Sequence, residues 1–176
     1  MTLAELWELF PIILAPPDEK RYAAVFFAEK QRLSALLGEK ALSVLHVGST
    51  AIGTIRSKPI VDIIVETDDQ KGCAALLAAA GYIVMSESGD RISLNKGYTP
   101  CGYTDEVFHI HLRRKGDADE KYFCRYLKET PDEAKRYEAL KERLLAIYGK
   151  DRDGYTAAKT GYVTSVTRKA KALYEK

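Results

Sequence analysis

Residues 45–66, LHVGSTAIGTIRSKPIVDIIVE, run an apolar strand into a Gly-Ser turn and then into a second strand, PIVDIIVE. That second strand is isoleucine and valine apart from its proline and two acids, and it carries Asp62 in its middle. Side chains alternate along a strand, so Ile60, Asp62, Ile64 and Glu66 share one face while Val61, Ile63 and Val65 share the other. Both faces are apolar apart from the acids, which marks a buried strand, and Pro59 suits only its start or an edge position. An unpaired carboxylate in such a place is strongly disfavoured by desolvation, so Asp62 needs a cation, a metal, hydrogen-bond donors or a proton. A purely structural carboxylate satisfied by backbone N–H groups or a buried Arg or Lys meets that need as well as a functional one.

The rest of the chain supplies the frame. Residues 2–10 have the pattern of a short amphipathic helix stopped by Pro11, and residues 21–37 that of a longer one ending at Gly38. ALSVLHV is a strand; Asp68 is placed to cap a helix over residues 70–80, closed by Gly81. YIVMSE and RISLNK flank SGD as a hairpin, and EVFHIHLR alternates as a further strand. Helices are predicted over residues 118–129, from Thr130 and Pro131 to Tyr148, and from about Asp151 to the C-terminus. Helices, then a mixed sheet, then helices make the class α+β, and residues 1–176 contain no linker or repeat that would split one domain into two.

Composition excludes several alternatives. The formal charge of +2, with acids and bases interspersed, supplies no basic field for nucleic acid or a membrane surface, so any anionic ligand has to be gripped locally. Cys73, Cys101 and Cys124 form neither a disulfide framework nor a zinc ribbon. The N-terminus has acids where a signal peptide has bases, and no window approaches the ~20 apolar residues of a membrane span. A cytoplasmic protein is expected.

Three groups of residues suggest chemistry. All three histidines, His46, His109 and His111, fall in predicted strands, and His109 and His111, two apart, project from one face where two imidazoles can share a metal ion or a phosphate. Lone histidines of this kind are commonly hydrogen-bonded core residues; the H-x-H pair beside a buried acid is what raises the functional reading. Gly48, Ser49 and Thr50 close the strand that carries His46, where a glycine admits close backbone approach and a serine with the N–H groups that follow can grip a phosphate. In the last helix Arg152, Tyr155, Lys159, Tyr162 and Val166 lie along one stripe, placing two cations on an aromatic face. These either snorkel to water past the tyrosines or point at an anion, Asp62 or a bound phosphate.

Together HVGSTAIGTIRSKPIVDIIVE, KGYT, VFHIHL with YFCRYL, and DRDGYTAAK resemble, in order and spacing, the GrpB family of bacterial proteins, over roughly Trp7 to Lys169. The resemblance implies a nucleotidyltransferase-like fold, a mixed sheet flanked by N- and C-terminal helices. In that superfamily a Gly-Ser motif holds the triphosphate, which maps to Gly48 and Ser49. A D-x-D or D-x-E pair with a third carboxylate binds two divalent metals for phosphoryl transfer. Asp62 matches the first acid, but the second position is Ile64, and the neighbouring strand offers His109 and His111 instead of an acid.

The expected site is therefore Asp62 and Ser49 as catalytic residues and Asp62, His109 and His111 on one ion. Gly48, Ser49, Thr50, Arg152 and Lys159 are expected on phosphates, with His46, Lys58, Glu66 and Tyr155 behind them. Imidazole suits manganese or zinc better than magnesium, though the sequence does not distinguish the three. The resemblance implies a metal-dependent nucleotidyltransferase-like protein acting on or binding a small-molecule nucleotide. The alternative is a non-catalytic nucleotide- or metal-binding module that has lost the second carboxylate.

Overall fold

The computed structural model describes residues 2–175. In chain order it has helices α1 (Leu3–Leu9) and α2 (Glu19–Leu37), strand β1 (Ser43–Val47), a five-residue helix α3 (Gly48–Ile52), β2 (Val61–Glu66) and α4 (Gln70–Ala79). Strands β3 (Ile83–Ser88), β4 (Arg91–Thr99) and β5 (Gly102–Arg113) follow, then helices α5 (Glu120–Glu129), α6 (Pro131–Tyr148) and α7 (Arg152–Tyr174). The strands form one sheet in the order β1-β2-β5-β4-β3, in which β2 and β5 run parallel and the other neighbours antiparallel. This is the expected α+β class, with the aspartate-bearing strand in the interior of the sheet.

Strand parity sorts the side chains into two layers. On one face Val61, Ile63 and Val65 of β2, with Phe108, Ile110 and Leu112 of β5, bury against α2 and α4. On the other, Val47 and Ile64 pack with α3, α5, α6 and α7. Asp62, Ile64, His109 and His111 belong to that second face, because Asp62 pairs with His109 and Ile64 with His111 across the parallel β2–β5 ladder.

Local chemistry fixes the boundaries, and several differ from expectation. The cap of α4 is Asp69, not Asp68: Asp69 Oδ1 accepts from the Gly72 N–H at 2.9 Å, three residues on, a reach Asp68 lacks. Pro59 lies outside β2, which begins at Val61. The expected Gly-Ser turn is a short helix bounded by two glycines at positive φ, Gly48 at 75° and Gly53 at 79°. Strands β4 and β5 extend beyond the predicted segments to meet at Thr99–Gly102, with a bulge between Lys96 and Tyr98. The bulge centres on Gly97, φ 91°. Its extra residue puts Lys96 on the α2 side, paired with Glu29, and Tyr98 on the opposite side, against His109.

Between α1 and α2 the segment Phe10–Pro17 crosses the end of the sheet as an extended strap. Its far end is held where Ala15 and Ser57 exchange backbone hydrogen bonds of 2.8 and 3.1 Å. Its near end is held by Phe10, whose ring lies 5.1 Å from Tyr98 and 5.0 Å from Tyr103. Ile12 packs with Leu144 and Tyr155 on the α6–α7 side.

Candidate functional site

A cavity of about 320 Å³ opens where the second face of the sheet meets α6, α7 and the strap. Its floor is Asp62, whose side chain keeps 30% of its exposure. Both imidazoles approach the same oxygen: His109 Nδ1 is 3.4 Å and His111 Nε2 3.5 Å from Asp62 Oδ1. Outer partners orient both rings. Arg152 Nη2 donates to the Tyr98 hydroxyl at 3.0 Å, and that hydroxyl lies 2.7 Å from His109 Nε2. With Arg152 as donor, the Tyr98 proton goes to Nε2, which leaves Nδ1 as the N–H aimed at Asp62; the network assigns this tautomer. His111 Nδ1 lies 3.3 Å from Ser93 Oγ. Burial opposes ionisation of Asp62, but the hydrogen bonds it receives from His109 and His111 reverse that effect and hold its carboxyl well below the usual carboxylate range.

Gly48 packs against the same carboxylate. A Cβ at this position would sit 2.5 Å from Asp62 Oδ2, on a backbone already at φ 75°. Glycine is thus required twice over, by conformation and by contact.

The walls are cationic. Lys58, Lys141, Arg152 and Lys159 all line the cavity, against Asp62 as its sole acid among the described residues. None of the four pairs with a carboxylate among those residues. Lys141 is 2% exposed; its Nζ donates to Ser49 Oγ at 3.3 Å and to the Arg56 carbonyl. Burial, reinforced by the charge of Lys159, pushes the Lys141 pKa down to about 7. Burial and the neighbouring Lys159 and Arg152 lower Lys58 to about 8. Lys159 is lowered too, by burial and Arg152, with Asp62 pulling the other way. Lys58 and Lys159 place their ammonium groups 5.9 and 4.5 Å from the centre of the Tyr155 ring. Tyr155 is 0% exposed and its hydroxyl has no hydrogen-bond partner among the described residues. A pocket with three unpaired lysines, an arginine and an orphaned hydroxyl is built to receive an anion rich in acceptor oxygens.

The structure brings together Gly48, Ser49, Lys58, Asp62, His109, His111, Arg152, Tyr155 and Lys159 from the expected set. Three expected residues lie elsewhere. His46 pairs with Ile63, hence projects from the opposite face, where its ring stacks on Phe26 at 4.8 Å and its Nε2 lies 3.0 Å from Thr50 Oγ1. Burial lowers its pKa to about 4. Thr50 spends its hydroxyl on the Ile60 carbonyl at 3.2 Å. Glu66 sits at the far end of β2, accepting from Ser43 Oγ at 2.5 Å and from the Gly116 N–H at 2.7 Å. Among the residues of the site that the sequence does not single out are Tyr98 and Lys141. Tyr98 depends on the Gly97 bulge, which alternation does not reveal. Lys141 had a visible sign, since Ala134, Tyr137, Lys141 and Leu144 form the buried stripe of α6 and a lysine on such a stripe needs a reason to be there.

The donor set does not fit a pair of ions. Ile64, 0% exposed, occupies the place of a second acid. Among the described residues no group of three or more His, Cys, Asp or Glu side chains surrounds a common ion position. Nor does any helix there have the length and apolar character to cross a membrane.

Comparison with known proteins agrees with the motifs. The family model described as GrpB protein matches residues 11–169. A UPF0157 protein of Deinococcus radiodurans is 35% identical over 158 residues, covering 89% of this chain and 81% of that protein. The glutamate-rich protein GrpB of Alkalihalophilus pseudofirmus is 29% identical over 168 residues, covering 88% of this chain and 93% of that one. The crystal structure of the conserved protein GrpB from Enterococcus faecalis superposes with a TM-score of 0.81 at 26% identity, over 93% of this chain and all of that one. The structure of Cid1 with the UTP analogue UMPNPP reaches a TM-score of 0.52 at 12% identity, over 89% of this chain and 50% of Cid1, a likeness of fold alone. The sheet is therefore nucleotidyltransferase-like, and the chain belongs to the GrpB family.

Proposed function

We propose that this protein binds a nucleotide in the cavity through its phosphates. The observation that carries the reading is the imbalance of charge: four cations without carboxylate partners face one aspartate in a half-enclosed space. A triphosphate brings enough negative charge to offset them, and its oxygens supply the acceptors that Lys58, Lys159 and the Tyr155 hydroxyl lack among the described residues. The fold supports the same ligand class, since Cid1 holds a UTP analogue in its own structure. The overall charge of +2 favours a small-molecule nucleotide over a polynucleotide.

A single divalent ion is compatible with the donors; two are not. Asp62 with His109 and His111 offers one carboxylate and two imidazoles whose other nitrogens are held by Tyr98 and Ser93, the outer support usual for ligating histidines. Closing around an ion would require both rings to shift from their contacts with Oδ1 and His109 to take the other tautomer, its Nε2–H donating to the Tyr98 hydroxyl and its Nδ1 left free to ligate. A bound ion there supplies charge neutralisation at a phosphate oxygen. Ser49, Lys58, Lys141, Lys159 and Arg152 position the phosphates, and Asp62 orients the imidazoles.

A second reading, transfer of the nucleotidyl group, is favoured by the lysines, because fixed cations can stabilise the charge that develops at the phosphates in place of a missing second ion. Melting temperature with each nucleoside triphosphate, with and without manganese, tests the binding reading. A rise of several degrees with at least one nucleotide is expected; no shift with any of them contradicts it. Product formed by the wild type and abolished in Asp62→Asn would establish transfer.

A further inference from the structure

Beside the cationic cavity lies a second one, of about 300 Å³, on the other side of the strap. The extended strap alternates across the two: Leu14 lines the cationic cavity, while Pro11, Ile13 and Ala15 line the second. Pro59, Ile60 and Val107 complete an apolar lining, and Ile13 leaves 55% of its surface uncovered there. Its polar lining comes from Arg21, Thr104 and Asp105 at one side and from Lys58 and Tyr103 at the boundary with the cationic cavity. Predominantly apolar walls with a small number of polar anchors are the composition of a site for an organic ligand.

The two cavities share walls. Lys58 and Ile60 line both, and the Lys58 ammonium lies over Tyr155 on the cationic side, so its methylene stem forms the boundary. Tyr103 lines the second cavity while its hydroxyl accepts from Arg152, which lines the first. The strap between them is pinned at both ends, by the Phe10–Tyr98–Tyr103 ring cluster and by the Ala15–Ser57 pair, which makes the second cavity a fixed feature of the fold.

We propose that the second cavity receives the nucleoside part of a ligand whose phosphates lie in the cationic cavity, the Lys58 side chain bending along the ligand where it passes from one to the other. This rests on the nucleotide reading above and adds to it where the uncharged half of the ligand sits. The apolar lining takes a planar base against Ile13, Pro59 and Val107, with Arg21 and Asp105 at hand for its polar edge.

Titration calorimetry with inorganic tripolyphosphate and with ATP, GTP, CTP and UTP, at one magnesium concentration, separates the two halves. Wild-type protein is expected to bind at least one of the nucleotides tenfold or more tighter than tripolyphosphate. Ala15→Phe, which fills the second cavity, and Ile13→Lys, which puts a charge into it, are each expected to erase that margin while leaving tripolyphosphate affinity within twofold and melting near wild type. Equal affinities for tripolyphosphate and all four nucleotides would overturn the proposal and leave the phosphate site standing. So would a margin that survives in whichever of the two variants keeps native melting. Failure of all five compounds to bind would remove both readings.

Discussion

At the scale of single residues, the site is organised by what Asp62 touches. Gly48→Ala has to relieve both a contact of 2.5 Å with the Asp62 carboxylate and a backbone at φ 75°, so it is expected to lower unfolding stability by roughly 2–3 kcal/mol, read from urea denaturation. Lys141 makes a prediction in pH. Its folded pKa of about 7 lies below the 10.5 of the free side chain, so between those values the unfolded chain binds more protons and stability increases with pH. Lys58 and Lys159, which burial also lowers, add to the same rise. Lys141 by itself accounts for roughly 3 kcal/mol between pH 7 and pH 9.5, so Lys141→Met should reduce the slope without abolishing it while weakening triphosphate binding, and a variant with the same pH slope would contradict the assignment. Asp62 and the H-x-H pair were legible in the sequence because a charge in an aliphatic strand and two imidazoles in alternation are local patterns. His46 was misassigned because its face depends on register with β2, a non-local fact: pairing with Ile63 rather than Asp62 turns it to the other layer.

At the scale of elements, the hairpin of β4 and β5 shows how one residue re-aims another. Gly97 sits at φ 91°, and a Cβ there would lie 2.3 Å from the Glu106 carbonyl oxygen. Gly97→Ala is therefore expected to abolish the bulge, reduce stability by roughly 2 kcal/mol and withdraw Tyr98 from His109; changed imidazole resonances of His109 by NMR, with those of His46 unmoved, are the check. Element α2 makes a separate tie to the opposite layer. Glu29, 3% exposed, accepts from Lys96 Nζ at 2.8 and 2.9 Å and from the Tyr82 hydroxyl. Glu29→Ala leaves both donors unmatched and is expected to cost about 3 kcal/mol in thermal or urea unfolding without altering phosphate affinity. Helices and strands were readable from period and caps, as Gly38 at the end of α2 and Pro131 at the start of α6 illustrate. The bulge, the short helix α3 and the strap were not, since each depends on glycine conformations or on contacts distant in sequence.

At the scale of the whole molecule, a chain of net charge +2 concentrates three lysines and an arginine around one opening. Composition averaged that asymmetry away, and only the meeting of β2, β5, α6 and α7 reveals it. Because these charges are recessed, a tenfold rise in NaCl is expected to weaken triphosphate binding by less than about tenfold, whereas binding at an exposed patch falls more steeply. The most direct measurement is a crystal grown with manganese and a non-hydrolysable nucleoside triphosphate, mapped at the manganese absorption edge. Phosphate density within hydrogen-bonding distance of Ser49, Lys141 and Lys159, with any anomalous peak confined to a single position beside Asp62, is the expected result. Ligand bound at a different surface, or a cavity holding only water at saturating ligand, would contradict it.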